Sequence, residues 1–307
     1  MIRETTLGVD DLIYPLFVSG QENCNSEIKE IPGCSLLSGK YLIAEAQQIC
    51  DLGIPAVLLF GIPEEVEKDD QASMAYSPVG PIQKAIRALK ANVPALTVFA
   101  DNCLCEFMAH GHCGVVNRHQ IDNDLSLELI KKAALSQAEA GADGIAPSGM
   151  MDGMVHAIRF ILDEHHFQQT LTMPYAAKFA ASFYGPFKAG TKSKPEKSRH
   201  ATHQIDFHNS NESLREIRLD IEEGADIIIV KPALPCLDII YRVKQECHIP
   251  VAAYNVSGEY VMILAAAEKK VMEGEKVMLE SLSSIKRAGA DLIITYFAKT
   301  VAVLLRQ

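Results

Sequence analysis

Eight short apolar runs, separated by longer amphipathic stretches, constrain this chain more than any other feature. The runs are Leu12–Val18, Ala56–Gly61, Ala95–Ala100, Gly144–Pro147, Leu171–Tyr175, Asp226–Val230, Val251–Tyr254 and Asp291–Tyr296. They lack polar alternation, as parallel strands do when both faces of their sheet are covered. Between them, Leu125–Ala140, Met154–His165, Glu212–Glu223 and Val277–Ala288 space their apolar residues as amphipathic helices do. One device recurs at the joins. Gly-Ala-Asp stands at Gly141–Asp143, Gly224–Asp226 and Gly289–Asp291, and Leu52-Gly53-Ile54-Pro55 takes the same place before the second run. The glycine can end a helix in the left-handed conformation, so that the strand begins at once. Eight strands alternating with helices predict an α/β fold, a closed (β/α)8 TIM barrel forming a single domain over residues 1–307. An open doubly wound sheet is the alternative.

The formal net charge of −10 and the absence of a basic patch argue against a nucleic-acid partner. The most basic stretch, Lys188 to His203, is rich in Ser, Thr and Gly and reads as a loop. No apolar run approaches the ~20 residues of a membrane span. The N-terminal residues lack the apolar core of a signal peptide, so a cytoplasmic location is expected. The eight cysteines are then expected to be free thiols or metal ligands rather than disulfides.

A barrel orders the polar residues. Asp101, Cys103, Cys105 and Cys113 follow the third strand, Ser148 the fourth and Lys178 the fifth. Lys231 ends the sixth strand, Ser257 follows the seventh and Tyr296 ends the eighth. All fall on the C-terminal face, where barrel enzymes keep their sites. A lone lysine at a strand end more often snorkels to solvent. Two on adjacent strands suggest carbonyl capture as Schiff bases, because burial and a neighbouring cation both lower an amine pKa. The C-x-C-x7-C spacing supplies three soft ligands suited to zinc, with a fourth position left for water or substrate. Buried inert thiols are the plainer reading of the same spacing. His110 and His112 lie between the cysteines as alternative ligands or proton carriers. Ser257 and Tyr296 could hold a substrate carboxylate, and Asp101 could orient an ammonium or a metal-bound water.

Five longer motifs carry a resemblance: C-L-C-E-F with H-G-H-C-G, A-P-S-G-M-M-D-G, A-K-F-A-A-S-F-Y-G-P-F, V-K-P-A-L-P and A-A-Y-N-V-S-G-E-Y. Together they resemble the porphobilinogen synthase (5-aminolevulinate dehydratase) family over nearly the whole chain. The resemblance implies a (β/α)8 barrel lyase that condenses two 5-aminolevulinates into porphobilinogen, the pyrrole precursor of haem. It implies that Lys231 binds the first substrate as a Schiff base and Lys178 the second. It also implies that Cys103, Cys105 and Cys113 hold a catalytic zinc, and that Ser257 and Tyr296 hold the first substrate's carboxylate. Asp101, Ser148, Tyr184 and Tyr254 match further pocket residues, and Glu222 and Glu223 lie near where some members of the family place an allosteric magnesium.

The departures from the family pattern cluster on the second-substrate side. Lys188 stands where the family's G-P-F-R motif has arginine. A gapless reading puts His200, with Arg199 beside it, where a second arginine belongs, and Lys197 adds a nearby charge. His203 replaces a tyrosine and Gly149 an aspartate. A lysine supplies charge but not a bidentate fork. The N-terminal arm that helps build the family's octamer is almost absent, so a smaller homo-oligomer such as a dimer is expected. The alternatives to porphobilinogen synthesis are a divergent Schiff-base enzyme acting on another amino-ketone and a non-catalytic relative that binds metal or ligand.

Overall fold

A computed structural model describes residues 2–118, 120–191 and 203–306. Eight parallel strands form the barrel: β1 Leu12–Ser19, β2 Ala56–Ile62, β3 Thr97–Asn102, β4 Gly144–Pro147, β5 in two pieces (Leu171–Thr172 and Ala177–Lys178), β6 Ile228–Lys231, β7 Val251–Asn255 and β8 Leu292–Thr295. Neighbours in sequence pair in parallel, and β8 returns to β1 through Leu12 opposite Ile293.

Closure runs through β5. Its first piece pairs with β4 and its second with β6. Pro174 has no N–H to offer a ladder, so regular pairing breaks between the pieces. Backbone bonds still bridge the gap on both sides. Met173 N–H donates to Ile145 O at 2.8 Å and Tyr175 N–H to Pro147 O at 3.0 Å. On the other side Ile229 N–H donates to Pro174 O at 2.8 Å and Phe179 N–H to Lys231 O at 3.0 Å. The ring is closed, and the doubly wound alternative is excluded.

Three strand positions differ from expectation. β3 begins at Thr97, because Leu96 N–H closes a turn onto Val93 O at 3.1 Å, and it extends to Asn102. Asp101 is therefore on the strand rather than after it. Lys178 likewise lies within β5, whereas Tyr296 falls just past β8. An antiparallel hairpin, Asn25–Glu27 with Ser35–Leu37, is an addition that the polar sequence around it did not announce. Its second strand pairs with the end of β1.

The helices Gly39–Asp51, Pro81–Asn92, Asn123–Glu139, Met154–Glu164, Ser210–Glu222, Leu237–Glu246, Ser257–Glu268, Gly274–Ala288 and Ala298–Leu304 surround the barrel. No helix among the described residues is long and apolar enough to cross a membrane.

The Gly-Ala-Asp repeat acts at the N-terminal end of the barrel. Gly141, Gly224 and Gly289 have φ of 101°, 106° and 120°, the left-handed region that favours glycine. Each aspartate then reaches back to the strand before its own. Asp143 Oδ2 accepts from Val98 N–H at 2.7 Å, Asp226 Oδ2 from Thr172 N–H at 2.8 Å and Asp291 Oδ2 from Val251 N–H at 2.8 Å. Lys90 and Lys244 pair with Asp143 and Asp291 at 2.8 and 2.6 Å. The three carboxylates staple β4, β6 and β8 to β3, β5 and β7. Asp291→Ala leaves the buried Val251 N–H without an acceptor, so a loss of about 1–3 kcal/mol in urea unfolding is expected.

Candidate active site

Lys178 and Lys231 are direct partners in the register of β5 against β6. Two side chains at matched positions of neighbouring parallel strands point to the same side of the sheet, and here both are buried at the C-terminal end. The Tyr175 ring lies 5.6 Å from Lys178 Nζ and 5.0 Å from Lys231 Nζ. Lys178 Nζ donates to Ser148 O at 2.6 Å. Lys231 Nζ faces the rings of Tyr254 at 4.7 Å, Tyr184 at 4.8 Å and Phe187 at 5.5 Å. Burial, with the charge of Lys178 next, lowers the Lys231 pKa to about 7. Mutual activation of the two amines, expected from their proximity, holds for one of them only. Burial lowers the Lys178 pKa, but the charges of Cys113, Cys103, Cys105 and Asp101 outweigh it and leave the amine above its usual value.

Those thiols explain the asymmetry. The sulfur atoms of Cys103, Cys105 and Cys113 all lie within 4.8 Å of one another, with Cys103 and Cys105 Sγ 3.2 Å apart. Bonds from Cys103 and Cys105 hold the Cys113 thiol well below its usual pKa, while bonds to Cys103 and Cys113 push Cys105 well above. Three convergent soft donors fit a single thiophilic metal ion. His110 and His112 stand outside the group, and His110 Nδ1 accepts from His112 N–H at 3.1 Å. Among the described residues no other set of three metal-ligating side chains converges so closely. At Glu222 and Glu223, near where some members of the family place a magnesium, Glu223 Oε2 accepts from His156 N–H at 3.1 Å.

Asp101 is buried on β3, and burial, with the Cys103 and Glu106 charges next, raises its pKa well above the usual carboxylate range. Elsewhere in the site, Tyr254 and Tyr296 hydroxyls meet at 3.0 Å. Ser257 Oγ accepts from Phe187 N–H at 3.1 Å, and Tyr184 O–H donates to Lys231 O at 3.0 Å. Phe60, Asp101, Ser148, Tyr184, Phe187 and Lys188, with both lysines and Cys105 and Cys113, enclose a cavity of about 40 Å³. Lys188 is half-buried, with Nζ 5.9 Å from the Tyr184 ring, and burial and the Lys178 charge lower its pKa. Burial, again with Lys178, lowers His203 to about 4. Lys197, Arg199 and His200 lie outside the described residues. The structure thus brings together Lys178, Lys231, Ser148, Asp101, Tyr184, Tyr254, Tyr296, Ser257, Lys188 and the three cysteines.

Five site residues were missed from the sequence: Phe60, Glu106, Tyr175, Phe187 and Gln204. Glu106 and Gln204 line the cavity. Burial, followed by the Cys103 charge, pushes Glu106 up to about 7. Glu106, Tyr175 and Phe187 lie inside or beside the quoted motifs, and only their positions next to Cys105 and within reach of the lysines could have marked them.

The family model of delta-aminolevulinic acid dehydratase matches residues 1–304. The delta-aminolevulinic acid dehydratase of Synechocystis sp. is 52% identical over 98% of this chain and 93% of its own length. That of Halalkalibacterium halodurans is 53% identical over 100% of this chain and 93% of its own length. The crystal structure of delta-aminolevulinic acid dehydratase (porphobilinogen synthase) from Toxoplasma gondii, in complex with the reaction product porphobilinogen, superimposes with a TM-score of 0.96 at 40% identity. It covers 99% of this chain and 87% of that one. The chain therefore belongs to the delta-aminolevulinic acid dehydratase family, the lyases that form porphobilinogen from 5-aminolevulinate.

Proposed function

We propose that this chain condenses two 5-aminolevulinate molecules, with loss of two waters, through Schiff bases on Lys231 and Lys178. The observation that carries this reading is the register pairing of the two lysines, with the three-thiol cluster beside Lys178. Lys231, neutral in part near pH 7, is the amine ready to attack the keto carbon of the first substrate. The hydroxyls of Ser257 and Tyr296 hold that molecule's carboxylate, and Tyr254 orients Tyr296. Lys178 captures the second molecule once it yields its proton. Asp101 and Glu106, both buried with raised pKa values, are placed to accept and return protons as the ring forms. Lys188 and Gln204 face the second substrate, where the lysine supplies charge for its carboxylate.

Cys103, Cys105 and Cys113 would hold zinc. When bound, the ion supplies Lewis-acid polarisation on the second-substrate side. Self-association as a homo-oligomer belongs to the same reading.

Pyrrole formation from 5-aminolevulinate, measured with added zinc and with a chelator, tests the reading. Zinc-dependent product is expected, and Lys231→Ala should lower turnover by roughly a thousandfold or more. Folded, zinc-supplied protein that forms no pyrrole would sink the proposal, and trapping with other amino-ketones would then identify a divergent enzyme. The Lys231 amine titrates with its neutral form reactive, so reactivity rises with pH. Cyanoborohydride trapping of 5-aminolevulinate on Lys231 should increase roughly tenfold from pH 6 to 8 and then level off. A flat profile to pH 8, rising only near pH 10, would contradict the lowered pKa.

A further inference from the structure

Glu259 is a buried carboxylate to which the chemistry above gives no task. It is 1% exposed, two residues past Ser257 in the first turn of the helix Ser257–Glu268. Half of its bonding is ordinary. Oε2 accepts from Val256 N–H at 2.5 Å, the reach-back of an acidic residue to the residue that caps its helix.

The other oxygen does something that a cap does not require. Oε1 accepts at 2.5 Å from Leu234 N–H, on a different loop of the barrel's C-terminal face. Leu234 follows Lys231 by three residues, and Val256 immediately precedes Ser257. One carboxylate therefore ties the segment bearing the first-substrate amine to the segment bearing a carboxylate-holding hydroxyl. A parallel bond from Ala233 N–H to Tyr254 O at 2.9 Å runs between the same two segments. Among the described residues no cation forms an ion pair with Glu259. Burial pushes its pKa up to about 7 against the pull of its donors at Val256, Leu234, Ala233 and Asn255. A helix cap alone would be served as well by an exposed side chain. Burying a carboxyl group at this cost is accounted for if both oxygens are needed where they are.

We infer that Glu259 is a positioning residue that fixes the separation of Lys231 and Ser257, and so matches the distance between the keto carbon and the carboxylate of the first 5-aminolevulinate. This rests on the roles proposed above for Lys231 and Ser257. The substrate is short and both of its ends are held, so a shift of either segment misplaces the keto carbon relative to the amine. An amide at position 259 would set an NH2 group against one of the two backbone donors.

The test is cyanoborohydride trapping of 5-aminolevulinate on the zinc-supplied enzyme, with Lys231 adducts counted by peptide mass spectrometry across substrate concentration. Glu259→Gln and Glu259→Asp should each raise the half-saturating concentration about tenfold, ~1.4 kcal/mol, with the fraction trapped at saturation unchanged. In a Ser257→Ala background the same substitutions should add less than about twofold, because the contact they misplace is already gone. An unchanged half-saturation, or an equal tenfold loss in the Ser257→Ala background, would overturn the inference and leave Glu259 a helix cap. Where Glu259→Gln gives no folded protein, Glu259→Asp, which keeps the charge on a shorter arm, carries the same two readings. Failure to trap Lys231 in the unsubstituted enzyme is a separate outcome and counts against the Schiff-base reading itself.

Discussion

The register of β5 against β6 is the constraint on which the site depends. Lys178 faces Lys231 because Ala177 pairs with Val230 and Lys178 with Lys231. A slip of one residue would turn Lys178 to the other face of the sheet. Pro174 weakens the ladder at this strand, and the bonds of Ile229 N–H to Pro174 O and Phe179 N–H to Lys231 O hold it on either side of the break. The strand that closes the barrel is thus the one with the least regular pairing, and it also bears one lysine of the buried pair. The pairing that closes the barrel is also the pairing that sets the two amines side by side.

Two equally buried lysines end with opposite electrostatics. Desolvation opposes the charge on both. Lys178 recovers its charge from the thiol cluster and Asp101. Lys231 faces four aromatic rings, whose attraction for a cation is about 0.5–2 kcal/mol at most sites and offsets only part of the burial and the repulsion from Lys178. One amine is therefore available as a nucleophile near neutral pH, while the other must first give up a proton. Such a difference suits a reaction that uses two copies of one substrate in unlike roles.

Much of this was legible in the chain. The apolar runs located all eight strands, because a buried parallel strand has no polar face to blur it. The C-terminal ends of those runs located the lysines, the cysteines, Ser148, Ser257 and Tyr296. What escaped was tertiary. Glycine in Gly-Ala-Asp has a local meaning, but the aspartate bonds a strand some 40 to 54 residues away. Pro174 splits β5 in a way that only pairing on both sides reveals. Tyr175 and Glu259 are single residues with no spacing to mark them, and each acquires its role from a segment remote in sequence. The hairpin strands Asn25–Glu27 and Ser35–Leu37 have three residues each, too few to leave a period.

The two ends of the barrel divide stability from chemistry. At the N-terminal end, three aspartates satisfy buried backbone donors and two of them also bind lysines that remain partly exposed, an arrangement that favours the fold at every step. At the C-terminal end the chain buries two lysines, Asp101 and Glu106, groups that each oppose folding when charged. Local choices that contradict burial are expected where a site demands them. Glu259 connects the two regimes. It is a backbone staple of the kind used at the other end, yet it is itself a buried carboxyl group, and it joins the segments that bear Lys231 and Ser257, whose spacing we propose the first substrate must match. The stapling device that holds the barrel together at one end would then, at the other, set the geometry of its chemistry.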